Sequence, residues 1–208
     1  MVTGKTQQSQ SPSGSTVLEN CIEEKRLEIK REMAALGRRI ANGDDSELLH
    51  WIIPNELACA HRPLRYHPQY GGSRRPLPPE ATSLIEEWTE LIKVEGIRSI
   101  ISLWHDEDIA PYRSLPLGNG NLLAYLGTLG FFIARHEYED PRHKRTPLTQ
   151  ARQKLECIRE AALKSYDQLP KPVLIQCSAG EDRSAPVAAY ISALRAPRDK
   201  GARVTLAD

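Results

Sequence analysis

Residues 171–194, KPVLIQCSAGEDRSAPVAAYISAL, decide how this chain is read. After a Pro-Lys-Pro turn, the run VLIQ at 173–176 reads as a short strand, and the alanine-rich segment from about Ser184 to Leu194 as a helix. Between them lies a loop of small and acidic residues that opens with Cys177. Gly180 supplies backbone angles closed to other residues. Pro186 falls in the first helical turn, where its missing N–H does no harm. A structural cysteine could sit anywhere along the apolar run. This one stands at the seam between strand and helix.

That position has chemical consequences. A tight loop of this kind turns several backbone N–H groups inward, and the helix amino terminus adds the positive end of its dipole. Ser178, Ala179, Gly180, Glu181, Asp182 and Arg183 then form an anion cradle the size of a phosphate. The same field favours thiolate over thiol, which makes Cys177 a nucleophile near neutral pH. Arg183 offers a planar fork for two phosphate oxygens. The hydroxyl of Ser184 is close enough in sequence to hydrogen-bond the sulfur and stabilise it as a leaving group. These parts converge on phosphate-ester cleavage through a phosphocysteine. The bland alternative is a buried strand cysteine beside an arginine in a surface ion pair. The ordered succession of strand, glycine, arginine, serine and helix argues against it.

Outward from this seam, helices alternate with short apolar strands, which implies an α/β layer structure with a central, mostly parallel sheet. Residues 1–16 are Gln/Ser/Gly/Thr-rich and are expected to be a disordered tail. Over 17–41 the seven-residue recurrence of Ile22, Ile29 and Leu36, with Met33 and Ile40 beside them, predicts an amphipathic helix. Its expected use is packing on the domain; self-association or a partner helix is the sharper alternative. Residues 17–45 are thus an amino-terminal helical arm and 46–208 the main domain. WIIP at 51–54 reads as a strand and 62–79 as a long surface loop. Pro78-Pro79 opens a helix holding Leu84, Ile85, Trp88, Leu91 and Ile92. Residues 97–104 (IRSIISLW) form a strand, 120–130 a short helix, 131–134 a buried strand and 149–165 a helix.

Composition narrows the function classes. The chain has 208 residues, 40% hydrophobic and 26% charged, which suits one soluble domain with a sizeable core. A net charge of +1 gives no global case for a nucleic-acid or membrane partner. Cys21, Cys59, Cys157 and Cys177 are scattered, with no C-x-x-C pair, and His61, His67, His105, His136 and His143 lack ligand spacing. No metal and no cofactor are therefore expected. Cys59 and Cys157 read as packed thiols, and the histidines as surface or capping groups. No apolar signal core or membrane-length segment is seen, so a reducing, cytoplasmic location is the simplest reading.

The loop CSAGEDRS after a hydrophobic strand resembles the signature of cysteine-dependent protein tyrosine phosphatases, with the dual-specificity branch the nearest in size. The resemblance runs more loosely from about Trp51 to Leu194, through WIIP, GIRSIISL and PVLIQC. It implies a tyrosine-phosphatase-like fold and phosphorylated protein substrates carrying phosphotyrosine, phosphoserine/threonine or both. Two departures stand out. Gln176 occupies the place where the family has a histidine that holds the loop and tunes the thiolate, which bears on rate more than on reaction type. The chain also ends soon after Leu194, where the family commonly continues through further helices.

The resemblance further implies an aspartate on a separate loop that protonates the leaving oxygen. Trp104-His105-Asp106 superficially matches the Trp-Pro-Asp loop of larger relatives, but it lies far upstream. Asp140, in HEYEDPRHKRTP, follows the strand at 131–134 and precedes the helix leading to Cys177. Asp140 is the choice, with Glu139 and Asp106 in reserve. The basic run 142–145 beside it would steer a phosphorylated substrate. Acidic Glu181 and Asp182 disfavour inositol polyphosphates. A phosphate-binding pseudophosphatase and a persulfide-handling sulfurtransferase remain the competing functions.

Overall fold

The computed structural model describes residues 14–72, 75–140 and 147–197. Five strands, β1 (Leu49–Ile53), β2 (Leu57–Ala60), β3 (Ser99–Ser102), β4 (Phe132–Arg135) and β5 (Val173–Gln176), form one sheet in the order β1-β2-β5-β3-β4. β1 and β2 pair antiparallel; the other three pairings are parallel. The chain is thus α/β, with a mixed, mostly parallel sheet flanked by helices.

All four residues of β2, β3 and β5 are buried, as strands covered on both faces must be. The two-residue period sends Leu57, Cys59, Ile101, Val173 and Ile175 to one core, and Ala58, Ala60, Ile100 and Leu174 to the other. Helices α1 (Gly14–Ala41), α5 (Leu148–Gln168) and α6 (Ser184–Arg195) cover the first face. The second is covered by α2 (Thr82–Val94), α3 (Asp106–Ile109) and α4 (Leu122–Thr128). Ala185, Val187, Ala188 and Ile191 of α6 are fully buried, and the helix packs against both α1 and α5.

Strand β5 and helix α6 fall where the seam predicted them. Elsewhere the structure corrects the sequence reading. Helix α1 begins at Gly14, so the end of the expected disordered tail is helical; residues 1–13 lie outside the described ones. Its stripe of Ile22, Ile29, Met33 and Leu36, by contrast, packs on the domain as expected and enters the core beneath the sheet. Strand β2 was not foreseen. The segment 62–79 is not simply a surface loop, since Arg62 and Leu77 are each 3% exposed. The strand at 131–134 is an edge strand, and Phe132 is 52% exposed. Among the described residues no helix is long and apolar enough to cross a membrane.

The integration of α1 is directly checkable. Ile29 has no exposed surface, so Ile29→Ala should cost about 2–4 kcal/mol in urea unfolding. Leu27→Ala, at a half-exposed position on the same helix, should stay within about 0.5 kcal/mol. An appended arm would leave the main transition unmoved by either change.

Candidate active site

Because β2, β3, β4 and β5 run parallel, the loops that follow them emerge at one edge of the sheet, where open α/β sheets place their sites. The loop after β5, residues 177–183, lies at the centre. Cys177 is 2% exposed and ends the strand. Gly180 has φ +69°, and a Cβ there would stand 2.5 Å from Cε of Met33 on α1. The positive φ favours glycine there, and any side chain would also require the Met33 methyl to move.

The neighbouring loops hold this segment by its carbonyls. The Gln176 carbonyl accepts from Leu103 N at 2.8 Å and the Ser178 carbonyl from Arg62 N at 3.1 Å. The Cys177 carbonyl accepts from Trp104 Nε1 at 3.3 Å, and the Ala179 carbonyl bonds His61 Nδ1 at 2.9 Å. Arg62 Nε also donates to Ser178 Oγ at 3.2 Å, while its Nη1 donates to Tyr112 Oη at 2.8 Å. Trp104 stacks near-parallel on Tyr112. Among the described residues the N–H groups of Ser178, Ala179, Gly180 and Glu181 have no acceptor. Carbonyls turned outward and amides left over are the backbone of an anion nest. The loop's two acidic side chains are engaged as well: Tyr66 Oη donates to Glu181 at 3.3 Å, and Lys30 Nζ to Asp182 at 2.8 Å.

Arg183 is 2% exposed, and its guanidinium is fixed by Asp108 of α3. Nη1 donates to Asp108 Oδ2 at 2.6 Å and Nη2 to Oδ1 at 3.1 Å, while Nη1 also faces the carbonyls of Leu103 and Tyr138. Burial alone would lower the arginine pKa; the Asp108 bond together with the charges of Cys177, Asp108 and Asp140 outweighs it, raises the pKa and holds the side chain cationic. Asp108 in turn caps its own helix, accepting from His105 N at 2.9 Å. Asp108 takes the Nη1/Nη2 end of the fork. The Nε–H and the second Nη2–H, which share the other edge, carry no hydrogen bond to any described residue. That edge can grip an anion bidentately.

Of the two acids, Asp140 is the one whose charge acts on Arg183. It is half-buried after β4, and its charge also acts on Tyr138. Asp106 is exposed and paired with Arg135 at 2.8 Å; that bond lowers its carboxyl pKa, the wrong direction for a proton donor. Glu139, beside Asp140, is half-buried too. The basic run 142–145 lies outside the described residues.

Ser184 is fully buried at the start of α6, but its hydroxyl has no hydrogen-bond partner, the Cys177 sulfur included. Cys157 is exposed rather than packed. Cys59 is packed, and burial, then the charge of Cys177, pushes its thiol pKa up. His67 and His105 cap local N–H groups as expected, whereas His61 is buried. Among the described residues no cluster of three or more potential metal ligands occurs. His61, Arg62, Trp104 and Asp108 are the site residues that sequence reasoning missed as such. The one available signal was the run of adjacent charged and aromatic side chains straight after short apolar segments. No protein-family model and no curated protein matches the chain.

Two stability outcomes follow. Asp108→Ala strands a buried guanidinium and should cost about 3 kcal/mol in urea unfolding. Burial pushes the His61 pKa down from 6.5 to about 4. The unfolded chain therefore takes up this proton as pH falls below 6.5 and the native chain does not until about 4, so stability is lost across that window. Unfolding curves between pH 7 and 4 should show roughly 3 kcal/mol of acid destabilisation that His61→Asn abolishes.

Proposed function

We propose that the protein is a cysteine-dependent phosphatase of the protein tyrosine phosphatase type, dual-specificity class, acting on phosphate monoesters of proteins. One observation carries the reading. Four consecutive amides without acceptors and an unengaged guanidinium edge surround the segment that Cys177 opens. A tetrahedral dianion supplies the acceptors that these donors lack.

In this reaction the Cys177 thiolate attacks phosphorus in line with the ester oxygen. The P–O bond breaks, its electron pair leaves with that oxygen, and Asp140 delivers the proton. Water then attacks the phosphocysteine while the Asp140 carboxylate takes up its proton, releasing phosphate and restoring the thiolate. Arg183, oriented by Asp108, meets the equatorial oxygens through its Nε/Nη2 edge, where charge grows in the transition state. Ser184 rotates its unpartnered hydroxyl toward the departing sulfur in the second step. A reducing, cytoplasmic setting suits a nucleophilic thiol. The engaged acids Glu181 and Asp182 leave no added cation on the loop for inositol polyphosphates.

Hydrolysis of 4-nitrophenyl phosphate across pH tests this. Turnover should vanish in Cys177→Ser and fall about 10²-fold in kcat in Asp140→Ala, with the basic limb of the profile flattened. Asp106→Ala should match the parent. Loss in Asp106→Ala without loss in Asp140→Ala would reassign the acid. A parent protein that binds phosphate without turnover would be a pseudophosphatase instead.

A further inference from the structure

The loop's carbonyl anchors are not equivalent. In a planar trans peptide, C=O and the next N–H point in opposite directions, so fixing a carbonyl fixes the following amide. The carbonyls of Gln176, Cys177 and Ser178 precede Cys177, Ser178 and Ala179, residues for which turning the peptide over is sterically costly. The carbonyl of Ala179 precedes Gly180. Glycine accepts φ of either sign about equally, so the 179–180 peptide can turn over at little cost. Turned over, it would withdraw the Gly180 N–H from the nest and aim a carbonyl dipole at the anion.

We propose that His61 is the positioning residue that locks this peptide, so that the cradle is permanently set for a phosphate rather than formed only on binding. The proposal rests on the phosphatase reading for the identity of the anion. The Ala179 oxygen can only accept, so the neutral His61 ring carries its proton on Nδ1 and donates it there. The ring is held in turn. It is 4% exposed and meets the Tyr66 ring edge-on at 4.6 Å between centroids. Its backbone carbonyl accepts from Gln176 Nε2 at 3.3 Å. The Gln176 side chain, directly before the nucleophile, therefore does not reach the loop itself; it holds the residue after the neighbouring strand that does. The bracing histidine comes from the loop directly after β2, 116 positions before Cys177, rather than from position 176.

Calorimetric binding of inorganic phosphate and turnover of 4-nitrophenyl phosphate would be measured on the parent, His61→Leu and His61→Asn. Leucine keeps bulk without a donor; asparagine places an amide N–H close to Nδ1. His61→Leu should weaken phosphate binding about tenfold and lower kcat about 10²-fold, the loss of one oxyanion donor. His61→Asn should stay within about threefold of the parent on both. In 1H–15N spectra the Gly180 amide should shift on phosphate addition in the parent and the Asn variant, but not in the Leu variant. Leu binding phosphate like the parent would overturn the proposal. So would Asn and Leu being equally impaired, which would make His61 mere packing. Should His61→Leu not fold, the parent decides alone: a slowly exchanging Nδ1–H resonance that responds to phosphate is required, and its absence overturns the lock. A parent that turns over no ester but binds phosphate removes the phosphatase reading and leaves the lock measurable by affinity. A parent that binds no phosphate removes both.

Discussion

A backbone that presents successive N–H groups to an anion must place the opposed carbonyls somewhere, and in a buried loop an orphaned carbonyl costs on the order of 1–3 kcal/mol. The organisation of this protein follows from that constraint. Each carbonyl from Gln176 to Ala179 finds a donor on the loops after β2 or β3. Those loops are within reach because their strands flank β5 in the sheet. Parallel pairing is what brings them to the same edge; an antiparallel neighbour would have delivered its loop to the far end.

Charge is handled in a similar way. Arg183 and Asp108 are buried together, an arrangement whose desolvation cost often offsets its Coulomb gain. What the pair supplies is orientation: the carboxylate binds one edge of the guanidinium and leaves the other presented. Asp108 is itself fixed by the His105 amide, so the aim of the arginine is set by a four-residue helix immediately after β3. The ion pairs Arg135–Asp106 and Arg135–Glu137 tie that segment to the loop bearing Asp140.

The seam at 173–184 was legible because everything it needs is local. Four apolar residues lie between a proline turn and a glycine loop, and a helix follows with proline in its first turn. Strand β2 escaped notice because Leu-Ala-Cys-Ala is short and small, with no alternation and no β-branched residue to mark it. His61 and Arg62 escaped for a different reason. Their partners lie 116 to 118 positions away, and no periodicity within a window reports a contact made through the sheet. The exposed Phe132 was mistaken for core because an apolar run reads alike at an edge and at a centre; only strand order separates them. Asp140 could be ranked over Asp106 by its place in the chain, but the Arg135 bond that lowers the Asp106 carboxyl pKa was invisible in sequence.

β5 is the central strand of the sheet and also the last of the five in the chain. Until residues 173–176 are in place, β2 and β3 have no strand between them, and the inner core face of each half stays open. Emergence from the ribosome therefore delivers an antiparallel pair, β1 with β2, and a parallel pair, β3 with β4, that wait for their common partner. Sheet closure is a late, long-range event of high contact order, which makes for slow folding and a lengthy exposure of bare strand edges. The step that closes the sheet also seats Cys177, so a chain that has not finished folding carries no assembled loop around that thiol.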